Sequence, residues 1–247
     1  MRILVVNPNT TASMTETIAA AARGAAGGAT TIVAATSKMG PASIEGYYDE
    51  ALAVPGLLAE IRQGEADGMQ AAVIACFDDT GLDAARAMAA IPIIGICEAA
   101  LSLASFIAQR FTVVTTTERS RVPVENLVDR YGMRLRCKVR AAGIPVLSLD
   151  DPASPAVATL RGEIARALDE DGAEAIVLGC AGMADLATRL QREFDVPVID
   201  GVGAAVKKAE ALVMLGLTTS KRGAYASPAE KRFTGALAGF APGRAVA

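Results

Sequence analysis

The chain has 247 residues, 52% of them apolar, with 24 basic and 27 acidic side chains, a formal net charge of −3 and no histidine. That is enough apolar material for one large domain or two lobes of ordinary size. The scattered charge and the six Phe and four Tyr exclude a basic stripe with stacking aromatics, so no nucleic-acid partner is expected.

The missing histidine removes the usual general base, the commonest metal ligand and any Ser-His or Cys-His pair. The four cysteines, Cys76, Cys97, Cys137 and Cys180, show no CxxC spacing and make a poor zinc set without histidine, so no metal is expected. No apolar run is long enough to span a bilayer. The N-terminal MRILVVNPNTT meets a polar turn too early for a signal-peptide core. The expected setting is soluble and cytoplasmic, away from membranes, with all four thiols reduced.

In chain order, RILVVN (2–7) reads as a buried strand ending at the turn Asn7-Pro8-Asn9-Thr10, with a helix over about 11–24 that Thr10 or Thr11 can cap. A strand over 29–36 leads into the long loop Ser37–Tyr48 and a helix over about 49–63 interrupted by Pro55; a loop of that length suggests a lid. AAVIAC (71–76) is a buried strand, CFDDTGL a polar turn, and a helix begins at Leu82. IPIIGIC (91–97) is a further strand, followed by a helix over about 98–109. This alternation is that of a parallel sheet covered on both faces by helices.

The pattern then restarts. FTVVTTTERS (111–120) runs into a helix near 119–131; a strand near 134–140, the linker SLDDPASP, a helix over about 155–171, the strand ending at Cys180 and the strand VPVID follow. A helix over 203–217 and a polar tail close the chain, the tail packing back on the first lobe and the last few residues expected to be disordered. Val6 to Val114 is an offset of 108, Cys76 to Cys180 of 104 and Pro92 to Pro197 of 105. Near-constant spacing of three landmarks in one order argues for an internal duplication. The expected fold is α/β with two pseudosymmetric lobes, one formed by 1–98 plus 206–247 and the other by 99–205, and a site in the cleft between them.

Cys76 and Cys180 thus stand at equivalent strand ends, where ligands bind in open parallel sheets. Across a pseudo-twofold axis they face one ligand from opposite sides. Helix N-termini nearby are expected to lower their pKa from about 8.5. Such a pair suits stereoinversion by two bases, one thiolate removing a proton from a carbon and one thiol delivering a proton to the other face. Groups around them, Asn7, Asn9, Phe77, Asp78, Asp79, Thr115, Thr116, Thr117, Gly179, Ala181 and Gly182, are candidates to orient a substrate and to stabilise the oxygen that gains charge. Asp78 and Asp79 either repel anionic substrates or start the following helix. Cys97 and Cys137 read as small core residues, Cys137 alternatively as a surface position. RGAAGGAT lacks the GxGxxG spacing of a dinucleotide site, and no lysine is set apart for a Schiff base, so no cofactor is expected.

The segments VVNPNTT, SIEGYYDEALAVPGLL, IACFDDTGLDAAR, VVTTTERS and VLGCAGM resemble the hydantoin racemase and allantoin racemase branch of the aspartate/glutamate racemase superfamily over nearly the whole chain. The resemblance implies a two-lobed fold, no cofactor, a homo-oligomer, and catalysis by Cys76 and Cys180 on a cyclic ureide. It also implies that the Asn7/Asn9 turn, the loop around Ser43 and Ile44, and the threonine loop contact substrate. Amino-acid racemases of the superfamily usually follow their cysteines with Asn-Thr; Phe77-Asp78-Asp79 and Ala181-Gly182 stand here, which favours a neutral ring such as a 5-substituted hydantoin. Allantoin racemase, amino-acid racemase, a single-cysteine decarboxylase and a non-catalytic small-molecule binding protein remain the alternatives.

Overall fold

The computed structural model describes residues 1–150 and 153–242. Asp151 and Pro152 of the expected linker, and the chain end beyond residue 242, lie outside the described residues. Among the described residues eight strands and eight α-helices alternate. The first half contains β1 (Arg2–Asn7), α1 (Ala12–Ala25), β2 (Thr31–Thr36), α2 (Tyr47–Ala66), β3 (Ala71–Ile74), α3 (Leu82–Met88), β4 (Ile93–Gly95) and α4 (Ile96–Ile107). The second contains β5 (Phe111–Thr115), α5 (Glu118–Arg130), β6 (Cys137–Ala141), α6 (Ala156–Asp171), β7 (Ala175–Gly179), α7 (Ala187–Phe194), β8 (Val198–Asp200) and α8 (Gly201–Met214).

Two four-stranded parallel sheets result, ordered β2-β1-β3-β4 and β6-β5-β7-β8. Their ladders repeat residue for residue. Val6 pairs with Ile74 in the first sheet and Val114 with Leu178 in the second. Ile74 pairs with Gly95, and Leu178 with Asp200. The spacings of 108, 104 and 105 seen in the sequence are therefore the register of the two sheets.

Alternation along the strands divides the core into three. Ile3 and Val5 of β1, and Val113 and Val177 of the second sheet, point into one apolar layer shared by both lobes. Leu4 and Val6 point the other way, onto Leu57 and Ile61 of α2. Val114 and Leu178 likewise meet Leu160 and Ile164 of α6. Successive strand side chains face opposite sides of a sheet, so these apolar runs are covered on both faces.

The shared layer holds α1, α4, α5 and α8. α4, which follows β4, packs on β7 and β8, while α8, which follows β8, packs on β3, β4 and α1. Each half thus sends its last helix to the other sheet. Residues 98/99 and 205/206 fall inside α4 and α8, a few residues past the points at which the chain changes sheet. Beyond α8 the tail returns to the first half: Thr219 N–H donates to Ala90 O (2.9 Å), and Lys221 Nζ to the Arg86 and Ala87 carbonyls at the end of α3.

Two local expectations are corrected. α2 is continuous through Pro55, because Ala53, Leu57 and Ile61 on either side are fully buried and their packing outweighs one lost backbone bond. The strand read as 91–97 is only Ile93–Gly95, and Ile96 already starts α4.

Candidate active site

In each sheet the strand order reverses between the two central strands, where a crevice opens beyond their carboxyl ends. β1 ends in the Asn7–Asn9 turn and β3 leads to Cys76; β5 ends at Thr115 and β7 leads to Cys180. The four ends converge on one cavity of about 30 Å³, walled by both cysteines, Asn7, Asn9, Ile44, Phe77, Asp78, Thr115, Thr116, Gly179 and Ala181. Space of that size admits water.

Ser43, Asp79, Thr117 and Gly182 do not line the cavity. Ser43 Oγ donates to Glu45 Oε1 at 3.1 Å, and Val146 N–H reaches the same oxygen at 3.3 Å. Glu45 therefore ties the 37–46 loop of the first half to the second, directly above the cavity. Thr117 begins α5 and shares a hydrogen bond with Ser120 Oγ at 3.0 Å. Gly182 lies behind Cys180, its notional Cβ 3.8 Å from the sulfur.

The asparagines divide their work. Asn7 Nδ2 donates to Asn9 Oδ1, Thr11 O and Thr15 Oγ1 at 2.9, 3.1 and 3.0 Å. That amide is consumed in shaping the turn. Among the described residues Asn9 Nδ2 donates only to the sulfur of Met14, at 3.5 Å, a weak acceptor that a substrate carbonyl can displace. Thr11 occupies the N-cap position of α1 without a side-chain capping bond; its hydroxyl donates to Ala42 O at 2.7 Å and holds the loop instead.

The two adjacent aspartates point to opposite places. Asp78 faces the cavity, 9% exposed; burial, then Glu50 and Asp79, push its carboxyl up to about 7. Asp79, at φ 47°, turns inward and accepts from Cys97 N–H (3.0 Å), Glu98 N–H (2.9 Å) and Tyr131 O–H (2.7 Å). It caps α4, its carboxyl lying where a Cβ on Gly95 would be. In the second half the residue in register with Gly95 is Asp200, which caps α8 itself by accepting from Gly203 N–H at 2.9 Å. One half thus caps its crossing helix from the end of its last strand, the other from the cysteine turn.

The expected lowering of the Cys76 pKa is corrected. Burial pushes that thiol well up, and Asp78 and Cys180 add to the rise, while the Thr80 hydroxyl and the Asp78 N–H pull against it. α3 starts six residues later, too far for its dipole to dominate. Cys97 and Cys137 are buried in the shared layer, outside the cavity.

Comparison with known proteins places this geometry. Residues 3–209 match the model of the Asp/Glu/Hydantoin racemase family. The chain belongs to that family. It is similar to the hydantoin racemase of Pseudomonas sp. (strain NS671), 50% identical over 97% of each chain, and to that of Rhizobium meliloti, 53% identical over 95% of this chain and 98% of the other. The solved allantoin racemase from Klebsiella pneumoniae superposes with a TM-score of 0.95, at 48% identity, over 98% of this chain and 99% of that one. Arylmalonate decarboxylase, at 18% identity and a TM-score of 0.60, shares the fold. The protein is an enzyme of the racemase class.

The cavity is also lined by residues that the sequence does not single out. Met14, Ser120 and Val146 line the cavity. Ser120 closes the hydroxyl-rich TTTERS run and could have been read with it. Val146 opens the 3-10 turn Val146–Asp150, far from any motif, and carries no local signal.

Proposed function

We propose that this enzyme racemises 5-substituted hydantoins by passing a proton between Cys76 and Cys180 across ring carbon C5. The observation that supports the reading is the presence of both thiols on one cavity, at strand ends related by the register of two duplicated sheets. One sulfur, as thiolate, takes the C5 proton; the other, as thiol, delivers its own to the opposite face, and the roles exchange with the enantiomer. N–H groups in the turns after the cysteines stabilise the enolate oxygen. Asp78, ionised above about pH 7, accepts a ring N–H and disfavours substrates bearing a carboxylate.

Loss of optical rotation of a 5-substituted hydantoin tests the activity directly. Cys76→Ser and Cys180→Ser each abolish racemisation, while C5–H exchange in deuterated water survives for one enantiomer in each variant. Wild-type racemisation in both single variants would sink the two-thiol mechanism. Asp78→Asn lowers kcat/KM about 10- to 100-fold, the loss of one charged hydrogen bond, and its pH–rate profile no longer shows the step near pH 7; an unchanged profile removes Asp78 from substrate binding. Similarity to the Klebsiella pneumoniae allantoin racemase supports allantoin as the second substrate to assay, and relative kcat/KM on the two decides between them.

A further inference from the structure

Thr80 is completely buried, and its Oγ1 is the buried side-chain polar atom without a hydrogen-bond partner among the described residues. Leaving a buried hydroxyl unpaired is unfavourable, and native proteins rarely do so without another use for the group. The backbone around it is bent to place it there. Asp79 and Gly81 on either side both lie in the left-handed region, at φ 47° and 66°, and Asp79 is held so by its three donors on α4 and α5. Thr80 thus lies in the turn that follows Cys76, near enough for its hydroxyl to favour the charged form of that sulfur.

The matching position of the second half carries no hydroxyl. At the offset of 104 that relates Cys76 to Cys180, Thr80 corresponds to Ala184 and Asp78 to Gly182. The Asp78 carboxyl and the Cys180 thiol oppose the ionisation of Cys76, and the Asp78 N–H is a further donor to it.

We propose that the Thr80 hydroxyl is a positioning group that donates to the Cys76 sulfur when it carries charge. While Cys76 is a thiol the hydroxyl lacks a partner; when Cys76 is a thiolate the bond forms, and it is lost as the sulfur takes up the C5 proton. The unmet hydrogen bond of the resting enzyme is met in the ionised form, which lowers the barrier to forming that form. This rests on the reading of Cys76 as a thiolate base.

The test uses iodoacetamide rather than a substrate. The rate of Cys76 alkylation is followed across pH by peptide mass spectrometry, with Cys180 of the same molecule as internal control. Thr80→Val keeps the shape and removes the hydroxyl. The expected result is a rise in the apparent pKa of Cys76, an alkylation rate reduced about tenfold near pH 8, no change at Cys180, and a melting temperature equal to or above wild type. Thr80→Ser restores the Cys76 profile. Should the valine variant fail to fold, Thr80→Ala carries the same expectation, since alanine occupies the equivalent position of the other half.

An unchanged Cys76 profile in Thr80→Val, an equal shift at both cysteines, or a serine variant that behaves like the valine one overturns the assignment. Because no substrate is involved, a shifted Cys76 profile in an enzyme that leaves hydantoins untouched would overturn the proposed reaction and keep the role of Thr80; racemisation with an unchanged profile would do the reverse.

Discussion

Gly179 faces Thr115 across the β5–β7 ladder, and a Cβ there would lie 2.8 Å from Thr115 Cα. Thr115 Oγ donates to the Gly179 carbonyl at 3.0 Å, so this contact sets where Cys180 emerges. Gly179→Ala forces the strands apart and destabilises by about 1–3 kcal/mol, the usual overpacking effect, with a larger fractional loss of kcat/KM; urea denaturation and kinetics on one preparation separate the two. The neighbouring aspartates are told apart in the same way. Asp79→Ala leaves two N–H groups of α4 and the Tyr131 hydroxyl without their acceptor and costs about 1–3 kcal/mol. Asp78→Ala, which removes a carboxyl facing the cavity, leaves stability unchanged or raises it while impairing catalysis. The sequence does not distinguish these two residues, because a single left-handed residue reverses the direction of the chain and sends consecutive side chains to unrelated sites.

Among the elements, the 37–46 loop and α2 are coupled by one glycine. A Cβ on Gly56 would meet Ser37 Oγ at 2.1 Å and Met39 O at 2.3 Å, so the loop lies directly on the helix backbone. Gly56→Ala lifts the loop and with it Ile44 from the cavity roof. It lowers kcat/KM and speeds alkylation of Cys76, which the open cavity exposes; slower or unaltered alkylation would show that the roof moves independently of α2. Helices and strands were legible wherever apolar periodicity ran long, as in β1, β7 and α6. The loop's seat on α2 was not, since close approach of two backbones leaves only a glycine as its trace, and Gly56 follows a proline that reads as a break.

For the whole molecule, the duplication was readable because the ladder register is preserved in residue numbers. The exchange of α4 and α8 between sheets was not, since packing partners leave no mark on a periodic apolar helix. The charge distribution makes a further global expectation. Asp78 and Asp79 are both pushed up to about 7, chiefly by burial, so between about pH 4 and 7 the folded protein binds more protons than the unfolded chain, and stability falls as pH rises through that window. Asp171, held down to about 2 by Arg140, acts in the opposite sense, its contribution lost as pH falls below about 4. Melting temperature should therefore peak near pH 4–5, and Asp78→Asn should flatten the upper limb; a wild-type curve that rises steadily from pH 4 to 7 contradicts these assignments.

The crossing of α4 and α8 has a consequence for how the molecule can be divided. On the shared side α1 covers β1 and β2 while α8 covers β3 and β4, and α5 covers β6 while α4 covers β7 and β8, so each half depends in part on a helix lent by the other, and the chain is topologically an interlocked pair of half-length proteins joined by the short link between α4 and β5. Nicked in that link, near residues 108–110, the fragments should remain associated and active; expressed separately, each should be unfolded or aggregated until mixed, and recovery of helical circular dichroism on mixing measures how far one half serves as the other's missing core.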